Sequence, residues 1–270
     1  MTSEDHPPTD RLQRDRPHSA RVWNFLLGGK DHYAADREAG EMILRMFPDI
    51  ALLARLQRRF LVRAVRHLAA EAGIRQFLDI GSGLPTVDNT HEVAQRIAPA
   101  SRIVYVDNDP LVLVHAEDLL TSTPEGACAY LDADVRDPEG ILEVAARTLD
   151  FSQPVALTML GILGQIPDSD EPEAIVARFL DALPPGSYLA LSDGTDTNEA
   201  LNQAISVYNA NSPSSYHLRG PERIAAYFDG LELVEPGIVP TAQWHPAPDD
   251  VSRSTSDSGV DAICGIGRKV

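Results

Sequence analysis

Phe77-Leu78-Asp79-Ile80-Gly81-Ser82-Gly83-Leu84-Pro85 is the stretch whose reading decides the fold. Phe77, Leu78 and Ile80 form a short apolar run of strand length, and it ends in Gly-x-Gly. Two glycines there let ligand atoms approach the backbone without a Cβ in the way. The helix expected to follow, opening near Asp88 and Asn89, offers unpaired N–H groups to an anionic group. A strand, a glycine turn and a helix make the first βα unit of an open parallel sheet. Ligands of such sheets sit in the crevice beyond the carboxyl ends of the strands. Gly-x-Gly alone is weak, because many βα turns have it for packing reasons.

Reading outward strengthens it. Strand candidates at Arg102–Val106, Cys128–Leu131, Val155–Leu160 and Ser187–Leu191 follow Gln76–Ile80, with helical patterns between them. Asp109-Pro110 and Asp137-Pro138 are N-cap and N1 signals for two of those helices. Alternating β and α elements imply parallel strands joined by right-handed crossovers. The rhythm breaks after a helix near Pro221–Phe228, where Leu231–Val234 and Ala262–Ile266 have no helical pattern between them. The expectation is therefore a doubly wound α/β fold with a mostly parallel, seven-stranded sheet whose last strand is antiparallel.

Upstream, residues 1–17 lack periodicity and read as a disordered tail, and residues 18–72 as an N-terminal helical cap before a ligand-binding domain at 73–270. Within the cap, Leu53, Leu56, Phe60, Ala64 and Leu68 share one helix face. Arg55, Arg59, Arg63 and Arg66 form a stripe that reads as solvated.

Composition narrows the partners. The 270 residues carry 23 basic and 40 acidic side chains, a net charge of −17, which opposes the phosphate attraction that drives nucleic-acid binding. No nucleic acid is expected, and a small-molecule partner is favoured. No apolar run approaches a membrane span and the N-terminus has no apolar signal core, so a soluble, cytoplasmic protein is expected. Cys128 and Cys264 match no metal or redox spacing and read as buried free thiols. No metal site is expected.

Three carboxylates define the ligand. Asp107 ends the second strand, where it can accept the ribose hydroxyls of an adenosine. A dinucleotide site wants a third small residue after Gly-x-Gly, and Thr86 after Pro85 suits a pyrophosphate poorly. Instead Asp79 stands two residues before Gly81, and Asp79-x-Gly81-x-Gly83 resembles motif I of class I methyltransferases. In those enzymes the acid lies near the amino-acid end of S-adenosylmethionine. Asp134 follows the third strand, where such enzymes contact the adenine amine.

A closer resemblance covers residues 20–270. Arg21-Val22-Trp23-Asn24-Phe25-Leu26-Leu27-Gly28-Gly29-Lys30-Asp31-His32-Tyr33-Ala34-Ala35-Asp36, the run from Phe77 to Val93, and Val104-Tyr105-Val106-Asp107-Asn108-Asp109-Pro110 look like an actinobacterial family of S-adenosylmethionine-dependent methyltransferases of uncharacterised substrate. The resemblance implies a Rossmann-like class I fold, an N-terminal helical cap and S-adenosylmethionine as cofactor. The cofactor-binding set expected is Asp79, Gly81, Ser82, Gly83, Asp107, Asn108, Asp134 and Val135, with Lys30 and Tyr33 from the cap. Ser19–Tyr33 is expected to close over the cofactor, with Gly28-Gly29 as its hinge, and His32, Tyr33 and Asp193 are the catalytic candidates. Similar proteins often carry histidines after strands four and five. Here Leu160–Pro167 and Leu191–Thr195 have none, which leaves a non-catalytic S-adenosylmethionine binder as the alternative and an NAD-type oxidoreductase as a more distant one.

Overall fold

A computed structural model of the chain describes residues 13–115, 121–246 and 262–270. Three helices open it: α1 (Ser19–Leu26), α2 (Ala34–Met46) and α3 (Ile50–Ala70). The alternating part runs β1 (Gln76–Ile80), α4 (Thr90–Ile97), β2 (Arg102–Asp107), α5 (Pro110–Val114), β3 (Ala127–Asp132), α6 (Pro138–Ala145), β4 (Ala156–Leu160), α7 (Pro172–Ala182) and β5 (Tyr188–Gly194). Then come α8 (Glu199–Asn211), α9 (Pro221–Ala226), β6 (Leu231–Leu233), β7 (Val239–Pro240) and β8 (Ala262–Lys269).

The strands form one sheet in the order β3-β2-β1-β4-β5-β8-β6, with β7 also on β8. Strands β1 to β5 are parallel to their neighbours, whereas β8 runs antiparallel to β5, β6 and β7. The order turns back between β1 and β4, and that switch point opens the ligand crevice at the carboxyl end of β1. All five residues of β1 are buried, as expected of a strand covered on both faces. Its side chains alternate between two cores: Leu78 and Ile80 pack with Leu157, Ile175 and Phe179, and Phe77 packs with Phe60, Ala64 and Leu68 of α3. Helix α3 thus lies directly on the sheet. A third cluster joins α1, α2 and the start of α3 to Leu201, Ala204 and Tyr208 of α8.

Several expectations change. The sheet gains an eighth strand, β7, too short at two residues and too rich in proline to leave a sequence pattern. Arg63 is not solvated: it is buried and donates to the Trp244 and Thr241 carbonyls at 2.7 and 2.6 Å. Cys128 is half-buried, and only Cys264 is fully inside. Of the expected tail, residues 1–12 lie outside the described residues, but Gln13 and Arg16 are held by carbonyl bonds to the Arg21 guanidinium. The helix-free link expected ahead of Ala262 lies mostly at 247–261, also outside them. Among the described residues no helix is long and apolar enough to cross a membrane.

Candidate cofactor and acceptor site

The glycine loop is fixed by strand β2. Gly81 and Ser82 both donate to the Val106 carbonyl, at 2.8 and 3.2 Å, and Gly81 and Gly83 take φ of 72° and 65°. Both angles lie in the left-handed region that glycine enters without steric cost. A Cβ on Gly81 would stand 2.8 Å from Ile162, whereas one on Gly83 would meet nothing within 4 Å. Gly81 therefore serves packing, and Gly83 faces open space.

Asp107 has two structural bonds: it accepts from Gly83 N at 2.7 Å and from Asp109 N at 3.0 Å. It is thus an Asx-turn residue that also carries the glycine loop. Burial pushes its carboxyl pKa up, against the pull of those two amides. Asp79 is buried between two hydroxyls, Thr90 Oγ1 at 2.6 Å and Thr158 Oγ1 at 2.7 Å. Burial raises it as well, while the two hydroxyls and Arg58 oppose the shift. In both residues each oxygen retains a lone pair for a further donor.

A cavity of about 470 Å³ opens over this loop. Asp79, Gly81, Ser82, Gly83, Asp107, Asn108, Asp134 and Val135 all lie on its wall. Asp134 is held by Arg136, with Nη2 at 2.6 Å and Nε at 2.9 Å, and its carboxyl sits below the ordinary range chiefly because of that bond. Away from the loop the lining is largely apolar, with Val22, Trp23, Leu26, Leu53, Leu201 and Ile205, and also includes Asn24, Gln57 and Tyr216.

The cap lines the cavity with the first half of the expected Ser19–Tyr33 segment and not with the second. Helix α1 is the roof, through His18, Ser19, Val22 and Trp23. Lys30, His32 and Tyr33 are not on the wall. Lys30 is exposed, His32 meets Phe25 edge-on at 5.2 Å, and the Tyr33 ring lies under the Arg14 and Arg21 guanidiniums, each at 5.3 Å. The cause is the turn after α1. Gly28 N bonds to Phe25 O and Gly29 N to Asn24 O, at 2.9 and 2.8 Å, which is a Schellman motif with Gly28 at φ 84°. A Cβ on Gly29 would collide with the Asn24 side chain. Both glycines thus have a structural reason in place of the expected hinge, and Tyr33 after them packs on the cluster of Leu84, Leu111 and Val112 beside the glycine loop.

The buried Arg21–Asp36 pair and the contacts around it hold the roof down. Asp36 accepts from Arg21 Nε at 3.2 Å, His18 N at 2.8 Å and Tyr33 N at 2.8 Å, while His18 Nδ1 stands 3.0 Å from Asp109. Burial alone would raise the Asp109 carboxyl, but His18 and Arg21 outweigh it and hold it low. Helix α1 is in this way tied to the end of β2.

Asp193 lies behind the wall, not on it. It is 2% exposed and accepts from Gly194 N at 2.9 Å and from the Tyr216 hydroxyl, and burial pushes its pKa up to about 6. Tyr216 and Gly194 do reach the cavity. Sequence reasoning missed Arg58, which lines the cavity from α3. Its signal was there, because a cation at the helical spacing of buried Ala54, Leu61 and Val65 stands on a core-facing row.

The fold, the glycine loop and the strand-end carboxylates define the class I methyltransferase architecture. The S-adenosyl methyltransferase family model matches residues 5–270, and the chain belongs to that family. S-adenosylmethionine is its cofactor and methyl transfer its activity. A DUF574 family protein from Streptomyces avermitilis is 45% identical, with 95% of this chain and 99% of that one covered and a TM-score of 0.92. A candidate methyltransferase from Thermobifida fusca is 43% identical, with 99% of each covered and a TM-score of 0.88. An O-methyltransferase family protein from Burkholderia thailandensis shares the fold at 16% identity and a TM-score of 0.51, over 82% of this chain and 58% of its own. No curated protein matches the sequence.

Proposed function

We propose that the chain methylates a small, largely apolar acceptor held beneath α1. One observation carries this reading: a single cavity runs from the Gly81–Gly83 loop to the apolar wall of Val22, Trp23, Leu26, Leu53, Leu201 and Ile205. Residues at the loop end fit the cofactor. Ser82 Oγ and Thr86 Oγ1 are buried without partners, Gly83 faces open space, and Asp107 retains lone pairs toward a ribose. Bound S-adenosylmethionine supplies an electrophilic methyl group on a sulfonium.

The chain's own contribution is then positioning, which can account for a large part of such an acceleration. The apolar wall excludes water and orients the acceptor. A base is needed only if the acceptor arrives protonated. Of the three candidates, Asp193 reaches the cavity only through Tyr216, which donates to it, and His32 and Tyr33 stand off the wall. The net charge of −17 disfavours a phosphate-rich acceptor.

The test uses methyl-labelled S-adenosylmethionine with a library of small aromatic and aliphatic hydroxyl and amine compounds, and in parallel with protein and nucleic-acid fractions. Label should pass to a compound of the library. A Leu53→Arg variant, folded and still binding S-adenosylhomocysteine, should lose that transfer. Label found only in macromolecules would overturn the reading.

A further inference from the structure

Arg58 has a buried donor, Nε, that the fold does not use. Its Nη2 donates to Val87 O at 3.1 Å and to Asn89 Oδ1 at 3.0 Å, which fastens α3 to the segment between the glycine loop and α4. Thr86 N donates to the same Asn89 oxygen at 3.1 Å, so Thr86 and Arg58 are neighbours. Three side-chain donors in this neighbourhood are buried and have no protein partner: Arg58 Nε, Thr86 Oγ1 and Ser82 Oγ. All three residues line the cavity.

A buried polar atom without a partner is costly, and a buried cation without one more so. Burial pushes the Arg58 pKa down, with Asp79, Tyr105, Glu92 and Asp88 opposing the shift through space. The guanidinium thus has Nη2 on loop oxygens and its Nε–H unspent, on the same cavity as two unspent hydroxyls. A planar guanidinium with adjacent O–H donors is suited to a carboxylate. Beside it stands Asp79, close enough to act on Arg58 electrostatically. A cation and an anion side by side match the two charges of an α-amino acid.

The geometry points to Arg58, with Ser82 and Thr86, as the holder of the cofactor's carboxylate, while its ammonium lies toward Asp79. The assignment rests on the cofactor occupying the Gly81–Gly83 loop. It makes Arg58 a determinant of ligand choice. Adenosyl ligands that carry an aminocarboxylate tail are selected over those that lack it.

Calorimetry with two ligands tests this without requiring turnover. S-adenosylhomocysteine has the tail, and 5′-methylthioadenosine has the same nucleoside thioether without it. The wild-type protein should prefer the first by about 10- to 100-fold, and Arg58→Gln should abolish that preference. S-adenosylhomocysteine should weaken by about the same 10- to 100-fold factor in the variant, while 5′-methylthioadenosine changes by less than about threefold. Arg58→Lys, which keeps the charge but not the fork, should fall between. Equal weakening of both ligands would make Arg58 a scaffold for Val87 and Asn89 and overturn the proposal, as would an unchanged preference. Failure of the wild-type protein to bind either ligand would instead refute the loop as the cofactor site, and the proposal with it.

Discussion

Replacing Asp193 by asparagine separates a buried charge from a buried hydrogen bond. The carboxyl is 2% exposed, and its pKa rises from 3.8 to about 6 on burial. A rise of about two units corresponds to about 3 kcal/mol of preference for the protonated form in the folded state. Between the unfolded and folded values the folded chain binds the extra proton, so Asp193 lowers stability as pH climbs from 4 to 6, and the loss is complete above about pH 7. The amide that replaces the carboxyl still accepts from the Tyr216 hydroxyl but does not titrate. Its extra N–H₂ needs an acceptor, a cost of about 1 kcal/mol. Urea unfolding of ligand-free protein should therefore find Asp193→Asn slightly less stable than wild type at pH 4 and about 2 kcal/mol more stable at pH 7.5. The difference between the two proteins is the right quantity, because it cancels the other titrating groups. Asp79 and Asp107 share the sign of Asp193, while Asp134, Asp168 and Glu173 have the opposite one. A difference that stays flat with pH, or grows in favour of wild type toward pH 7.5, would refute the reasoning. It would mean that the charge of Arg219, which acts on Asp193 through space against its pKa rise, keeps the carboxylate ionised throughout.

Two further experiments divide the loop's roles. Asp107→Asn, which turns one of two accepting oxygens into a donor, should weaken S-adenosylhomocysteine by about 10-fold or more in calorimetry; unchanged affinity would leave Asp107 a turn residue alone. Gly81→Ala and Gly83→Ala both place a side chain at positive φ, a cost of about 1–2 kcal/mol. Only the first also meets Ile162, so Gly81→Ala should lose more stability in urea, while Gly83→Ala should lose more ligand affinity. The reverse order would refute the division.

Much of this was legible because it is periodic or local. The βα alternation, the antiparallel close and the carboxylates at strand ends follow from patterns a few residues long. What escaped depends on partners far along the chain. Arg63 reads like its neighbours on the stripe, yet it meets a carbonyl 181 residues away. No window on α3 distinguishes that from a solvated cation. Arg58 was legible in principle and missed because a stripe of four other arginines accounted for charge on that helix.

The signature run Arg21–Asp36 shows the same distinction at the scale of the site. Its aromatic and ionisable residues suggested catalysis, and Lys30, His32 and Tyr33 stand off the cavity wall. Yet the run has a strict physical task. Asp36 is fully buried and must be satisfied, and its three donors come from Arg21, His18 and Tyr33. Arg21 and His18 in turn approach Asp109, which caps α5 at Leu111 N and donates its own N–H to Asp107. One chain of buried polar contacts thus runs from the cap through the end of β2 to the glycine loop. Loss of the Arg21 side chain leaves the buried Asp36 without its cationic partner, a change worth about 3–5 kcal/mol. Such a network fixes the height of α1 above the Gly81–Gly83 loop, and with it the depth of the cavity between them.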